Sequence, residues 1–121
     1  EGVAFAIRDS FEVARSLGIS IDRTMICGGG AKSPLWKKIM ANVLNIQVDV
    51  PQIEEGPAMG AAMLAAVADG TFASVKEAAE RVVRVKETIA PDPALAAAYD
   101  RQYRKFAQIY PAVRELFPKI L

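Results

Sequence analysis

Histidine is absent from these 121 residues, and cysteine occurs once, at Cys27. Without histidine the chain cannot build a Ser-His or Cys-His catalytic pair, or a histidine-ligated metal site, from its own residues. A single cysteine cannot form a disulfide within the chain, which favours a reducing, cytoplasmic location. We interpret Cys27 as a buried, small apolar residue.

The chain also lacks an excess of charge of one sign. Fifteen basic and fourteen acidic residues give a net charge of +1, and the basic residues do not cluster in one segment. A nucleic-acid partner is therefore not expected, because it would need a basic stripe. No apolar run is long enough to span a membrane, since Asp69 closes the longest candidate after Pro57, and no secretory leader is recognisable. We expect no membrane partner.

What is present alternates between helical and strand patterns. Apolar residues spaced by three and four predict an amphipathic first helix that Gly18 can end; they are Val3, Ile7, Phe11, Ala14 and Leu17. Residues Thr24–Cys27 and the alternating "IQVDVP" that ends at Pro51 predict two short strands. Between them, Ser33 and Pro34 predict a helix start, with Ile39, Val43, Leu35 and Trp36 facing inward and an end near Asn45.

The second half of the chain is mainly helical. Helices are predicted from Gly56-Pro57 to Gly70, after the capping residue Ser74, and from Ala94 onward, with "VRVKETIAPDP" extended between the last two. Pro111 must kink the last helix or begin a new turn. An aromatic-rich stripe follows that helix at Leu95, Tyr99, Tyr103, Phe106 and Tyr110.

Two strands separated by a helix predict a parallel pair with a right-handed crossover. Because parallel strands are normally buried on both faces, two alone make a poor sheet. The fold class is therefore α/β, incomplete on its own, with the missing strands supplied by a preceding part of a longer chain or by another chain. The opening "EGVAFAIRDS", helical and without an initiator methionine, also suggests a piece of something longer.

The run "ICGGGAKSPLW" raises a functional question, because ordering three glycines is costly. A strand that leads through bare backbone into a helix start can place N–H groups around an anion. Alternatively, Gly28–Gly30 form a tight turn without a ligand. A phosphate-binding Walker loop is excluded, because Lys32 follows Ala31 and the required earlier glycine is Ile26.

A dinucleotide-binding fingerprint is met only in part. Gly28 and Gly30 fit G-x-G-x-x-G, but the third glycine is replaced by Ser33. Asp49 lies at the distance expected for a ribose-binding carboxylate, although it can equally be the exposed half of an alternating strand. An NAD-binding fragment of Rossmann type therefore stays open as an alternative.

Four segments together carry a more specific resemblance. They are "EGVAFAIRDSFEVARSLG", "GGGAKSPLWKKIMANVLNIQV", "EEGPAMGAAMLAA" and "YDRQYRKFAQIYPAVRELF". In this order and spacing they resemble the C-terminal part of FGGY-family carbohydrate kinases, over essentially all 121 residues. The resemblance implies an actin-like, ribonuclease-H-like domain, with residues 1–121 as its nucleotide-binding side and the N-terminal domain absent.

The implied reaction is ATP-dependent phosphorylation of a sugar hydroxyl, with Mg²⁺. D-xylulose, giving D-xylulose 5-phosphate, is the sugar most in keeping with the resemblance, while related ketoses and polyols stay open. The family's adenosine motif carries over to Gly29, Gly30 and Ala31, with Gly28 and Ser33 adjacent. Lys32 is interpreted as solvent-facing or as a peripheral phosphate partner.

The family's catalytic base, an aspartate, and most of its sugar site belong to the upstream part, so no catalytic or metal-binding residue is assigned here. We expect the isolated chain to be inactive. A nucleotide-binding module of actin-like fold without catalysis is a further alternative, and a homodimer is left open.

Several other residues have a structural and a functional interpretation. Glu54 and Glu55 are interpreted as dipole-favoured residues at a helix start rather than as a catalytic or Mg²⁺-binding pair. Gly60 and Ala61 predict close helix packing behind the glycine loop. The aromatic stripe is interpreted as an anchor against the rest of the kinase, and Trp36 as a core residue that could border the nucleotide.

Overall fold

A computed structural model describes residues 1–53 and 56–120. Glu54 and Glu55, whose role at a helix start was predicted above, lie outside the described residues. Seven α-helices and three strands are formed by the described residues, and they are, in chain order, α1 (Gly2–Ser16), β1 (Arg23–Met25), α2 (Pro34–Leu44), β2 (Gln47–Pro51), α3 (Gly56–Ala68), α4 (Val75–Val82), β3 (Val85–Ile89), α5 (Pro93–Phe106), α6 (Ile109–Val113) and α7 (Phe117–Ile120). Two 3₁₀ turns, Gly29–Lys32 and Arg114–Leu116, complete the described secondary structure.

The sheet has three strands in the order β1-β2-β3. β1 and β2 are parallel, with Thr24 opposite Val48, which confirms the predicted parallel pair. The prediction of only two strands is wrong, because the extended segment after α4 forms β3 and pairs antiparallel with β2. The hydrophobic alternation expected of a strand is weak in β3, because four of its five residues are exposed and Ile89 alone among the five is half-buried.

Helix termini follow the capping residues in the sequence. Ser33 and Ser74 each accept a hydrogen bond from the backbone N–H three residues later, and so cap α2 and α4 as predicted. The last long helix begins one residue earlier than predicted, because Asp92 caps it and Pro93 occupies its first position. Pro111 lies inside α6, so the chain begins a new short helix there and does not kink α5.

The hydrophobic core lies on one side of the sheet. α2 packs on β2 and β3, and α1 and α5 pack on α2. The largest fully buried side chains are Val43, Leu44 and Val48. α1 turns Ala4 and Phe5 inward, and the predicted Ile7 and Phe11 pack against the core. Val3 and Leu17, at the two ends of the predicted face, are 67% and 74% exposed.

The other side of the sheet is much less covered. α3 packs against α4, and none of its thirteen residues is buried, although almost all of them are apolar. No described atom lies within 4 Å of the position a Cβ would take on Gly60. The close packing predicted for Gly60 and Ala61 is therefore not formed within the described part of the chain.

Candidate functional site

The glycine loop connects the end of β1 with the start of α2. The Ile26 N–H donates to the Asp49 carbonyl at 2.9 Å, so pairing with β2 extends one residue beyond β1. The chain then passes Gly28 and forms the 3₁₀ turn Gly29–Lys32. A strand, a glycine-rich turn and a helix start therefore follow one another, as the sequence predicted. This order places residues 28–33 at the carboxyl end of the parallel strand pair.

Three hydrogen bonds hold the loop in shape. The N–H of Ala31 donates to the Gly28 carbonyl at 3.0 Å, and the N–H of Ser33 donates to the Gly30 carbonyl at 3.1 Å. The Ser33 hydroxyl in turn accepts from the Trp36 N–H at 3.2 Å. Because Ser33 closes the turn and caps α2 at once, the loop and the first turn of the helix form one hydrogen-bonded unit.

The three glycines differ in what surrounds them. Gly28 has a φ of +76° and a ψ of −167°, a conformation open essentially only to glycine. A Cβ on Gly30 would lie 2.8 Å from Cδ1 of Trp36, so the indole excludes a side chain there. For Gly29 neither reason applies, since its φ is not positive and nothing lies within 4 Å of its Cβ position. Gly29 is therefore the glycine whose missing side chain the fold itself does not require.

Exposure divides the predicted site residues. Gly28, Gly29, Gly30 and Ser33 are exposed, whereas Ala31 is only 4% exposed. Ala31 can therefore offer a ligand little besides backbone atoms, and its methyl group anchors the turn in the interior. Lys32 is exposed beside the loop. The backbone lies open at Gly28 and Gly29 beside the positive end of the α2 dipole, an arrangement that can receive an anionic group.

An apolar pocket of about 240 Å³ opens beside the loop, between the ends of β1 and β2 and the helix α3. Its wall is largely sulfur-containing and aliphatic, and includes Met25, Cys27, Met59 and Met63. The prediction that Cys27 is buried is wrong: its side chain is exposed and faces this pocket. Gly56, at the start of α3, lies against the Cys27 side chain, but α3 leaves the pocket open beside it.

Asp49 does not lie in a ligand site. The residue is 4% exposed, which contradicts the interpretation of an exposed strand residue. Its Oδ1 accepts from the Thr88 hydroxyl at 2.6 Å, and its Oδ2 lies 3.3 Å from Nε of Arg23. The carboxylate thus ties all three strands together, and the register of β3, which the sequence pattern did not show, is what buries it.

The predicted inward face of α2 needs two corrections. Leu35, predicted to face inward, is 68% exposed, and Lys37, which was not among the predicted inward residues, is buried and forms an ion pair with Glu87 of β3. Trp36 is half-buried, contacts the core and also contacts Gly30. The contact between Trp36 and the loop is the feature of the site that the sequence analysis missed.

Within the described residues, the aromatic stripe of α5 packs on α1. The rings of Tyr99, Tyr103 and Phe106 lie 6.2, 6.1 and 5.5 Å from the ring of Phe5. Leu95 and Tyr110, the ends of the predicted stripe, are exposed.

The side chains whose pKa values are shifted lie on α5 and belong to this packing contact. Burial, and then a hydrogen bond donated to Asp9, raises the pKa of Tyr103 to about 12. Burial and a hydrogen bond to Glu1 raise the pKa of Tyr99. The hydrogen bond from Arg8 is the main cause that lowers the pKa of Asp100. These shifts therefore describe helix packing.

Residues 1–53 and 56–120 contain no group of three or more His, Cys, Asp or Glu side chains that could hold a metal ion. Within the same residues, no helix is both long and apolar enough to cross a membrane.

The fold has close counterparts among solved structures. Xylulose kinase from Rhodospirillum rubrum superposes with a TM-score of 0.78 and 36% identity, covering 95% of this chain and 23% of that one. The small mixed sheet flanked by helices is therefore that of kinases with the actin-like ATPase fold.

The sequence identifies the family. The model for the "FGGY family of carbohydrate kinases, C-terminal domain" matches residues 1–68, which include the glycine loop. Xylulose kinase from Staphylococcus epidermidis is 32% identical over all 121 residues, or 24% of its own length. An autoinducer-2 kinase from Salmonella paratyphi B is 33% identical over 105 residues, or 20% of its length. The chain belongs to the FGGY family of carbohydrate kinases, and it spans about a quarter of the length of these relatives.

Proposed function

We propose that these residues form the C-terminal, nucleotide-binding side of an ATP-dependent sugar kinase, with D-xylulose as its substrate. The observation that carries the proposal is the open backbone at Gly28 and Gly29, held between a parallel strand and a capped helix start. The named relatives include kinases for xylulose and for autoinducer-2. The first of these favours xylulose, because it is aligned over the whole chain.

In this proposal Gly28, Gly29, Gly30, Ala31 and Ser33 line the adenosine part of the nucleotide site. Phosphoryl transfer also needs Mg²⁺ on the phosphates and a base for the sugar hydroxyl. The described residues offer no such metal site. We propose, as the family resemblance implies, that the remaining part of a longer chain supplies the base, the metal ligands and most of the sugar site, and that the 121 residues alone transfer no phosphate.

The same longer chain covers the uncovered surfaces. β1 has a free edge, since among the described strands it pairs only with β2, and α3 leaves Leu64 60% exposed. Native proteins protect or cover the edge strands of their sheets, and large exposed apolar faces are rare in monomeric proteins. We propose that preceding strands pair with β1 and that the rest of the kinase packs on α3.

The NAD-binding alternative loses its main support, because the carboxylate of Asp49 is buried and bonded to Thr88 and Arg23. The test is direct. The full-length protein is assayed for ADP formation with ATP, Mg²⁺ and D-xylulose, with D-ribulose, gluconate and glycerol in parallel, and titrated with ADP and with NAD⁺. We expect turnover with xylulose and binding of ADP alone. ADP binding without turnover on any sugar would favour the non-catalytic module, and binding of NAD⁺ alone would overturn the proposal.

Gly29 supplies the site-specific test. Gly29→Val places a branched side chain where no neighbouring atom of the described residues lies within 4 Å of the Cβ position, so we expect the fold to be retained and the KM for ATP to rise. The matched control is Gly2→Val, at an open position with no atom within 4 Å at the far end of α1. An unchanged KM for ATP in Gly29→Val would remove the loop from the nucleotide site.

A further inference from the structure

Trp36 contacts the glycine loop in two independent ways. Its backbone N–H donates to the Ser33 hydroxyl at 3.2 Å. Its indole lies against Gly30 so closely that a Cβ there would be 2.8 Å from Cδ1 and 2.9 Å from Nε1. Cβ atoms essentially never come within 3.0 Å of a heavy atom to which they are not bonded through the neighbouring chain. The indole therefore occupies the space that the side chain of any other residue at position 30 would need.

The same indole is fixed to the interior. Trp36 is half-buried, lies in the first turn of α2 and packs against the core cluster that contains Met40, Val43 and Leu44. A planar ring held by a packed core has little freedom to move. It therefore gives the Gly30 backbone a rigid surface, whereas Gly28 and Gly29 have nothing near their Cβ positions.

Backbone hydrogen bonds within the loop connect the position of Gly30 to the positions of its neighbours. Gly30 is bonded through its carbonyl to Ser33, and Gly28 through its carbonyl to Ala31, so a shift of Gly30 would move both neighbours. The indole covers the Cβ side of Gly30, which leaves the approach to the loop at Gly28 and Gly29.

We propose that Trp36 is a positioning residue for the nucleotide: its indole holds Gly30 in place and thereby directs the open backbone of Gly28 and Gly29 toward the adenosine group. The inference rests on the proposed function, since it assumes that the loop binds ATP. It assigns Trp36 no contact with the reacting atoms. On this account position 30 is a glycine because the Trp36 indole occupies the space of a side chain, and position 29 is a glycine because the bound nucleotide does.

The first experiment uses the full-length kinase with Trp36→Ala and Trp36→Phe. We expect Trp36→Ala to raise the KM for ATP by about tenfold, with kcat and the KM for the sugar changed less than about twofold, because a displaced loop weakens nucleotide binding alone. Trp36→Phe keeps Cγ and Cδ1, the carbons beside Gly30, and recovers most of the affinity.

Two control variants separate positioning from stability. Ile39→Ala truncates another half-buried residue of α2 and lowers thermal stability without touching the loop. Leu35→Ala alters the 68% exposed neighbour of Trp36. Both are expected to retain the wild-type KM for ATP. An Ile39→Ala variant with the same rise in KM as Trp36→Ala would reduce Trp36 to a structural role and overturn the inference.

A double-mutant cycle tests the contact itself. Gly30→Ala is expected to raise the KM for ATP when Trp36 is present, because the added methyl group collides with the indole, and to add little when Trp36 is already Ala. Equal effects of Gly30→Ala in both backgrounds would show that the ligand, and not Trp36, requires the bare position. If the wild type binds ADP normally and the cycle shows no coupling, only this inference fails. If the wild type binds no nucleotide, the proposed function fails with it.

Discussion

Gly28→Ala tests whether the backbone of the glycine loop is strained for any other residue. The φ of +76° and ψ of −167° at Gly28 fall in a region that costs a residue with a side chain about 1–3 kcal/mol. Alanine recovers about 0.4–1 kcal/mol by restricting the unfolded chain. No atom lies within 4 Å of the new methyl group, so no steric clash adds to the cost. Taken at the middle of each range, the two effects leave a net destabilisation of the loop of about 1–2 kcal/mol.

Hydrogen exchange at the Ala31 amide is the appropriate assay, because this N–H donates to the Gly28 carbonyl at 3.0 Å. Local opening of the loop exposes it without unfolding the rest of the protein. A destabilisation of about 1–2 kcal/mol accelerates exchange roughly 5- to 30-fold. The measurement is made on the full-length protein, by mass spectrometry of the peptides that contain the loop.

Gly29→Ala is the matched control, since it makes the same chemical change at the next position, where φ is not positive and the surroundings are equally open. It should change exchange at Ala31 by less than about threefold, as unstrained surface substitutions do. Equal acceleration by the two variants would refute the argument that backbone strain at Gly28 shapes the loop.

Three further predictions concern the scaffold behind the loop. Leu44→Ala, at a fully buried position, should lower the free energy of unfolding by about 2–5 kcal/mol in urea denaturation. Thr88→Val should cost about 1–3 kcal/mol in the same assay, because it leaves the buried Asp49 carboxylate without its 2.6 Å hydrogen bond. The raised pKa of Tyr103, about 12, means that its contribution to stability is complete below the unfolded-state pKa of about 10 and is lost as the pH rises toward 12. An ultraviolet titration of the wild type against Tyr103→Phe should show this, and Asp9→Asn should lower the pKa.

Each of these three has a result that would contradict it. If Leu44→Ala lowers the free energy of unfolding no more than the exposed Leu35→Ala does, the side chain of Leu44 on α2 does not contribute to the core as argued. Thr88→Val should lower the free energy of unfolding more than Thr71→Val does, because the Thr71 hydroxyl donates to an exposed aspartate. Equal losses in the two variants would contradict the argument. A Tyr103 pKa that is unchanged in Asp9→Asn would assign the shift to burial alone.

Local features were determined by the sequence itself. Ser33, Ser74 and Asp92 start their helices because their side-chain oxygens satisfy backbone N–H groups within three residues, a contact that needs no distant partner. The glycine loop between a strand and a helix follows for the same reason. The family, too, is encoded in the order and spacing of the four segments that resemble FGGY kinases, and the match over residues 1–68 confirms it.

Tertiary structure alone decided what depends on partners far along the chain. The antiparallel pairing of β3 with β2 joins residues about forty positions apart. Because of this pairing, Asp49, a candidate ribose ligand in the sequence, is a buried residue that accepts a hydrogen bond from Thr88 of β3. Cys27, predicted to be buried, is exposed and lines the pocket between the strand ends and α3. Capping and periodicity act over a few residues and are visible in the sequence, whereas burial is set by whichever surfaces meet, and a one-dimensional pattern does not say which ones do.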